Sequence, residues 1–167
     1  MYGNENKGNY PRVVIKMGEP PTQYTGVESK DPFAKEGAPA ANDVTAAMFL
    51  LLRTQDITSE VFICPSTDVQ RFTIPAGKSI QDFSNFKSDE NLSYSIANPY
   101  PSKAAIEKGY KWNVTLGAEF AVAADMNPGS VAGADVTPVK GPKDERAVFA
   151  DLRKANSFNH LQDGQIV

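Results

Sequence analysis

The hydrophobic pattern is uneven, and one stretch dominates it. In NDVTAAMFLLLRTQ, residues 42–55, Val44, Ala47, Met48, Leu51 and Leu52 recur at helical spacing, and Phe49 and Leu50 widen the stripe. Asn42 or Asp43 can cap its start by accepting one of the orphan backbone N–H bonds. A helix this apolar is expected to lie buried against a sheet. Its methionine and aromatic stripe reads as core, not as a cofactor box.

Elsewhere the pattern predicts strands. Arg12 to Met17 (RVVIKM) reads as a short one, and Val61 to Cys64 (VFIC) is a continuous apolar run ended by Pro65. Arg71 to Ile74 alternates polar with apolar, and Leu92, Tyr94 and Ile96 alternate with Ser93 and Ser95. Ala118 to Asp125 is a small-residue strand between Gly117 and the turn Asn127-Pro128-Gly129, and Ala147-Val148-Phe149 is a further apolar run. Two long stretches, 18–41 and 130–146, lack any period. The first carries Tyr24 and Phe33, which can pack such a loop onto itself. The polar opening MYGNENKGNYPR reads as the frayed end of a helix turning into a loop. One buried helix followed by several short strands predicts an α+β fold with an antiparallel sheet, in a single domain over 1–167.

Composition narrows the function. A hydrophobic content of 41% and a charged content of 22% are those of an ordinary folded chain. The net charge of -3, with scattered lysines and arginines, gives no footprint for nucleic acid or for an anionic membrane. The longest purely apolar run, Ala46 to Leu52, is far too short to span a bilayer. A single cysteine rules out an internal disulfide.

Candidate chemistry is sparse. Cys64 and His160 supply a nucleophile and a base on paper, with Asn156 or Asn159 as orienter. Cys64 sits in an apolar run before Pro65, however, where a buried inert thiol is the simpler reading. Asp125 and Asn127 have the spacing that opens some calcium loops, but the later ligands and closing glutamate are missing, and an Asn-Pro-Gly turn accounts for the stretch. One histidine and one cysteine are too few for a zinc site. Asn91-Leu92-Ser93 and Asn113-Val114-Thr115 match the glycosylation sequon, which has meaning only in a glycosylating pathway. Tyr94, Tyr100, Tyr110 and Trp112 can line a groove or cap a small core, and aromatics interleaved with turns more often do the latter. These residues predict a protein that is not an enzyme and needs no cofactor or metal.

Several segments in order carry a resemblance. MYGNENKGNYPR resembles the join between the long N-terminal helix and the globular head of type IV pilin-like pseudopilins. NDVTAAMFLLLRTQDITSEVFICPSTD is similar to the helix, loop, strand and Cys-Pro-Ser turn of a large planctomycete-type group of these proteins. ENLSYSIANPYP and AEFAVAADMNPG are similar to that group's two central strands. The closing NHLQDGQIV is similar to its C-terminal signature through Asn159, His160, Gly164, Gln165 and Val167, with Ile166 where asparagine is usual. In the group an Asp-Gly turn follows, and here it would fall just past Val167, so the chain reads as ending inside a hairpin.

The resemblance implies a pilin-like head, a helix on an antiparallel sheet with long loops, whose signature positions are Cys64, Pro65, Asp125, Asn159, His160 and Gly164. It implies an extracytoplasmic structural subunit of a type II secretion or type IV pilus-like filament. Its partners would be other pilin-like subunits or secretion-system components, and it would meet the membrane only through an N-terminal anchor helix that this sequence does not contain. The rival readings are a stand-alone extracytoplasmic module binding a ligand or glycan, and a cysteine hydrolase using Cys64 and His160.

Overall fold

A computed structural model describes residues 2–67 and 69–125. The polar opening contains a single helical turn. One turn, α1 (Tyr2–Glu5), reverses at Gly8, whose φ of 83° belongs to the left-handed region and whose N–H donates to the Gly3 carbonyl at 2.7 Å.

The principal helix, α2 (Val44–Thr54), begins where the sequence indicated. Asp43 is the cap and accepts the Ala46 N–H at 2.8 Å. Ala46, Ala47, Phe49 and Leu50 are buried most deeply, while Met48 and Leu51 are half-buried. The buried stripe is thus turned and broadened relative to the predicted one, because α2 is covered on two flanks. On one flank Phe49 and Leu52 pack with Phe62, Phe72, Phe83, Phe86 and Leu92. On the other, Val44, Ala46, Ala47 and Leu50 pack with Val13 and Tyr100.

That cover is not the expected sheet. The phenylalanines come from irregular segments, each inserting one ring edge-on into the cluster. Phe49 meets Phe86 at 5.1 Å and Phe72 at 5.2 Å between centroids, and Phe62 meets Phe86 at 5.3 Å. Burying a phenylalanine of this kind contributes about 2–3 kcal/mol each. The helix is held by rings on turns rather than by a pleated surface.

Among the described residues the sheet is small. β1 (Tyr94–Ile96) pairs antiparallel with β2 (Ala123–Asp125) in the register Tyr94↔Asp125, Ser95↔Ala124 and Ile96↔Ala123. β1 is the latter part of the predicted Leu92–Ile96 strand, whereas β2 keeps only the last three residues of the predicted Ala118–Asp125 strand, because a turn closed by the Phe120 N–H on the Gly117 carbonyl takes its start. The class is α+β with an antiparallel sheet.

Three predicted strands are corrected. Val61–Cys64 is not extended: Ser59–Phe62 forms a 3-10 turn, with Val61 N–H donating to Thr58 and Ile63 N–H to Glu60. The turn throws Val61 outward, 54% exposed, and sends Phe62 into the core. Arg71–Ile74 has no ladder partner among the described residues. Only Phe72 is buried there, while Ile74 is exposed. Arg12–Met17 joins no sheet among the described residues: Asn42 bonds Val14 and Lys16, and Met17 already lies in a turn.

A short helix was not foreseen. In α3 (Lys103–Glu107), Ser102 caps the start by accepting the Ala105 N–H. Gly109, at φ 90°, ends it with the reciprocal pair Gly109 N–H to Ile106 and Tyr110 N–H to Ala105.

Candidate functional site

Two groupings of polar side chains stand out. The first gathers the signature residues that the structure describes. Beyond the 3-10 turn, Pro65 opens a tight turn in which the Thr67 N–H and Oγ1 both donate to the Cys64 carbonyl, at 3.1 and 2.9 Å. Ser93 ties this turn to the start of β1: its N–H donates to the Phe62 carbonyl at 2.9 Å, and its Oγ lies 3.2 Å from Thr67 Oγ1. The Cys64 thiol is buried, 3% exposed. Tyr94 on β1 is hydrogen-bonded to it and lies within electrostatic reach of Asp125, its partner on β2. Burial first, and then its interactions with Cys64 and Asp125, push the Tyr94 phenol above its ordinary pKa.

Cys64, Pro65 and Asp125 are therefore brought to one end of the small sheet, with Tyr94 between the thiol and the carboxylate. This is an arrangement for packing. A nucleophilic thiol has to be reached by its substrate, and Cys64 lies under the turn. Asn159, His160 and Gly164 lie outside the described residues, as do Asn127 and Asn156, so the proposed base and the calcium spacing are not placed.

The second grouping was not anticipated beyond its cap. Asp43 is wholly buried and spends both carboxylate oxygens on the chain. Oδ1 accepts the Ala46 N–H and the Thr45 hydroxyl at 2.8 and 2.9 Å. Oδ2 accepts the Thr25 hydroxyl at 2.5 Å, the Thr25 N–H at 3.0 Å and Asn85 Nδ2 at 3.1 Å. Tyr100 joins from the far side, donating its hydroxyl to the Asp43 carbonyl at 3.1 Å while accepting the Val13 N–H at 3.0 Å. Burial drives the Tyr100 phenol far above its ordinary pKa, although the Val13 bond works against that shift.

Through these bonds the long aperiodic loop is fixed rather than loose. Ser84 and Asn85 hold its middle, by Ser84 N–H to the Val27 carbonyl, Ser84 Oγ to Ser29 and Asn85 Nδ2 to Thr25. Arg53 at the end of α2 donates to the carbonyls of Lys30, Gln81 and Phe83. Of the two aromatics expected to pack this loop, Tyr24 lies against the core and Phe33 stands 56% exposed.

The remaining candidates are also structural in geometry. Trp112 is buried and donates to the Pro11 carbonyl at 3.0 Å, and Tyr110 donates to Asn98. Both aromatics cap core and loops. Of the sequon asparagines, Asn91 bonds Lys87 and Gln70, and Asn113 accepts the Thr115 N–H and hydroxyl in an Asx turn. Among the described residues no three His, Cys, Asp or Glu side chains gather to hold a metal, and no helix is long and apolar enough to cross a membrane. Set against known protein families, characterised proteins and solved structures, the chain matches none of them.

Proposed function

We propose that this domain is the head of an extracytoplasmic, pilin-like assembly subunit, working through protein contacts without catalysing a reaction. The observation that supports the reading most is the pairing of the two segments similar to that group's central strands, Tyr94↔Asp125 through Ile96↔Ala123, beside the Cys64-Pro65-Ser66-Thr67 turn. The use of buried polar groups points the same way. Asp43, Asn85 and Tyr100 spend their bonds holding loops in place, which suits a rigid shape presented to other subunits.

Exposed apolar side chains provide places to test it. Phe33, Val61 and Val114 are each more than half exposed. With a photo-crosslinking residue at each position in turn, expressed in the source cells, irradiation is expected to trap other pilin-like subunits or secretion-system components. If no position yields a protein adduct, or if the purified monomer retains a glycan or small molecule on an array, the binding-module reading takes its place.

A further inference from the structure

Along the sequence the lysines and arginines are scattered, but the fold sorts them. Lys16, Lys30, Arg71, Lys78 and Lys103 each meet a carboxylate. Arg53 spends its guanidinium on backbone carbonyls. Among the described residues Lys7, Arg12, Lys35, Lys87, Lys108 and Lys111 remain without an ion pair. Of these, Lys7, Arg12, Lys108 and Lys111 lie in two stretches, 7–12 and 108–116, that run side by side.

Backbone bonds fix the two stretches together. Asn9 bridges Asn113 antiparallel, the Tyr10 N–H donates to the Trp112 carbonyl at 3.3 Å, and the Val114 N–H donates to the Gly8 carbonyl at 2.9 Å. Trp112 closes the contact, its ring edge-on to Tyr10 at 5.4 Å between centroids and its Nε1–H on the Pro11 carbonyl at 3.0 Å. Arg12 then lies within electrostatic reach of Tyr110, which stands between Lys108 and Lys111 in the chain.

Neither stretch contains an aspartate or a glutamate. The acids next to them in the chain are occupied: Glu5 accepts from Gln55, Glu107 meets Lys103, and Glu119 lies against Gly117. Like charges gathered in this way, on a chain whose net charge is -3, repel one another without an internal ion pair to offset the cost. Lys7, Lys108 and Lys111 are exposed. Two apolar side chains stand among the cations, Val114, 56% exposed and lying against Gly3 and Gly8, and Ile106, 44% exposed on α3.

We propose that this surface receives an acidic segment of a protein partner, with carboxylates on Lys7, Arg12, Lys108 and Lys111 and apolar side chains on Val114 and Ile106. Charge complementarity calls for the acid. The apolar side chains set among the cations favour a polypeptide over a polyanion of sugar or nucleotide units. The backbone bonds hold the surface rigid, so little ordering cost falls on this side of the contact. Single exposed pairs contribute little, so the contact is weak and sensitive to salt. The inference names a partner chemistry for the assembly reading given above and rests on that reading.

The test uses the whole chain and a short labelled peptide that alternates Asp with Val, read by fluorescence anisotropy. Binding is expected to weaken as salt rises, and Lys108→Ser combined with Lys111→Ser should raise the dissociation constant about tenfold. Lys35→Ser combined with Lys87→Ser, at the unpaired cations outside the surface, should leave it unchanged. All four positions are exposed, so both variants should keep the melting temperature of the parent. Absence of binding, an equal loss in the two variants, or equal binding of a peptide alternating Asp with Ser overturns the proposal. So does tighter binding of phosphatidylglycerol vesicles or of polygalacturonate than of the Asp–Val peptide. A photo-crosslinker at position 111 in the source cells separates this inference from the reading beneath it. An acid-rich segment of a pilin-like subunit trapped there supports both, and one from an unrelated protein keeps the surface but removes the filament reading. If positions 33 and 61 trap pilin-like subunits while 111 traps no acidic segment, the filament reading stands and this surface falls.

Discussion

Asp43 shows what a single residue does here. A buried carboxylate is costly to desolvate unless it is fully hydrogen-bonded. Asp43 meets that condition with five donors and no ion pair among the described residues. It also sits at the positive end of α2, where the helix dipole favours its charge. The pattern "polar residue before an apolar period" made the cap legible. It could not reveal the rest, since Thr25 and Asn85 are 18 and 42 residues away. The near-isosteric Asp43→Asn separates the two roles. It keeps a capping oxygen but turns an NH2 group toward N–H and O–H donors, leaving buried groups unsatisfied. Stability is expected to fall by about 3 kcal/mol, read from urea unfolding with the buried Trp112 as fluorophore. A loss below about 0.5 kcal/mol, the ordinary size of a surface change, would mean that the five-bond cluster does not form.

At the scale of elements, legibility followed periodicity. The helix α2 and the strand β1 carry regular patterns and are where those patterns place them, while the small-residue run Ala118–Asp125 has no alternation and only its last three residues pair as β2. The turns bearing Phe62, Phe72, Phe83 and Phe86 each contribute one anchor with no period, so the aromatic cover of α2 was invisible as a unit and a sheet was expected in its place. In VFIC the apolar run suggested a strand, but the local Thr58–Glu60 turn bonds won. In α3 the cap Ser102 and the end glycine Gly109 were both present in the sequence, yet five residues are too few for a period to show. The loop 18–41 illustrates the same limit. Its fixed shape depends on Gly26, at φ 57°, where an added Cβ would lie 2.2 Å from the Pro39 nitrogen and 2.3 Å from the Ala38 carbonyl carbon. Gly37 shares the left-handed backbone, at φ 72°, but faces open space. Gly26→Ala is therefore expected to cost about 3 kcal/mol or more through backbone displacement as well as strain, and Gly37→Ala only about 1 kcal/mol. Equal melting-temperature losses for the two would mean that segments 24–28 and 37–41 of the loop do not touch as described.

For the molecule as a whole, each of the two clusters flanking α2 carries a phenol held in its neutral form, Tyr24 on one and Tyr100 on the other, and this sets an alkaline limit. Burial, reinforced by Asp89 and Asp43, pushes Tyr24 from 10.0 up to about 12, and burial drives Tyr100 upward as well. A raised pKa means that the folded state holds the proton more tightly than the unfolded state does. The stabilisation is then complete below the unfolded value near 10 and is lost as pH rises toward the folded values. Unfolding free energy is accordingly expected to be insensitive to these groups between pH 7 and 9 and to decline through pH 10–12. Tyr100→Phe should lower stability at pH 7 by about 1 kcal/mol, since its hydroxyl serves both Val13 and Asp43. It should also make the decline above pH 10 shallower, because one of the tightly held protons is gone. Urea titrations at several alkaline pH values, with phenolate absorbance followed in parallel, measure both effects. A flat profile to pH 11, or an unchanged slope in Tyr100→Phe, would show that Tyr100 is not locked between α2 and the segment carrying Val13, and the second core cluster would lose its keystone.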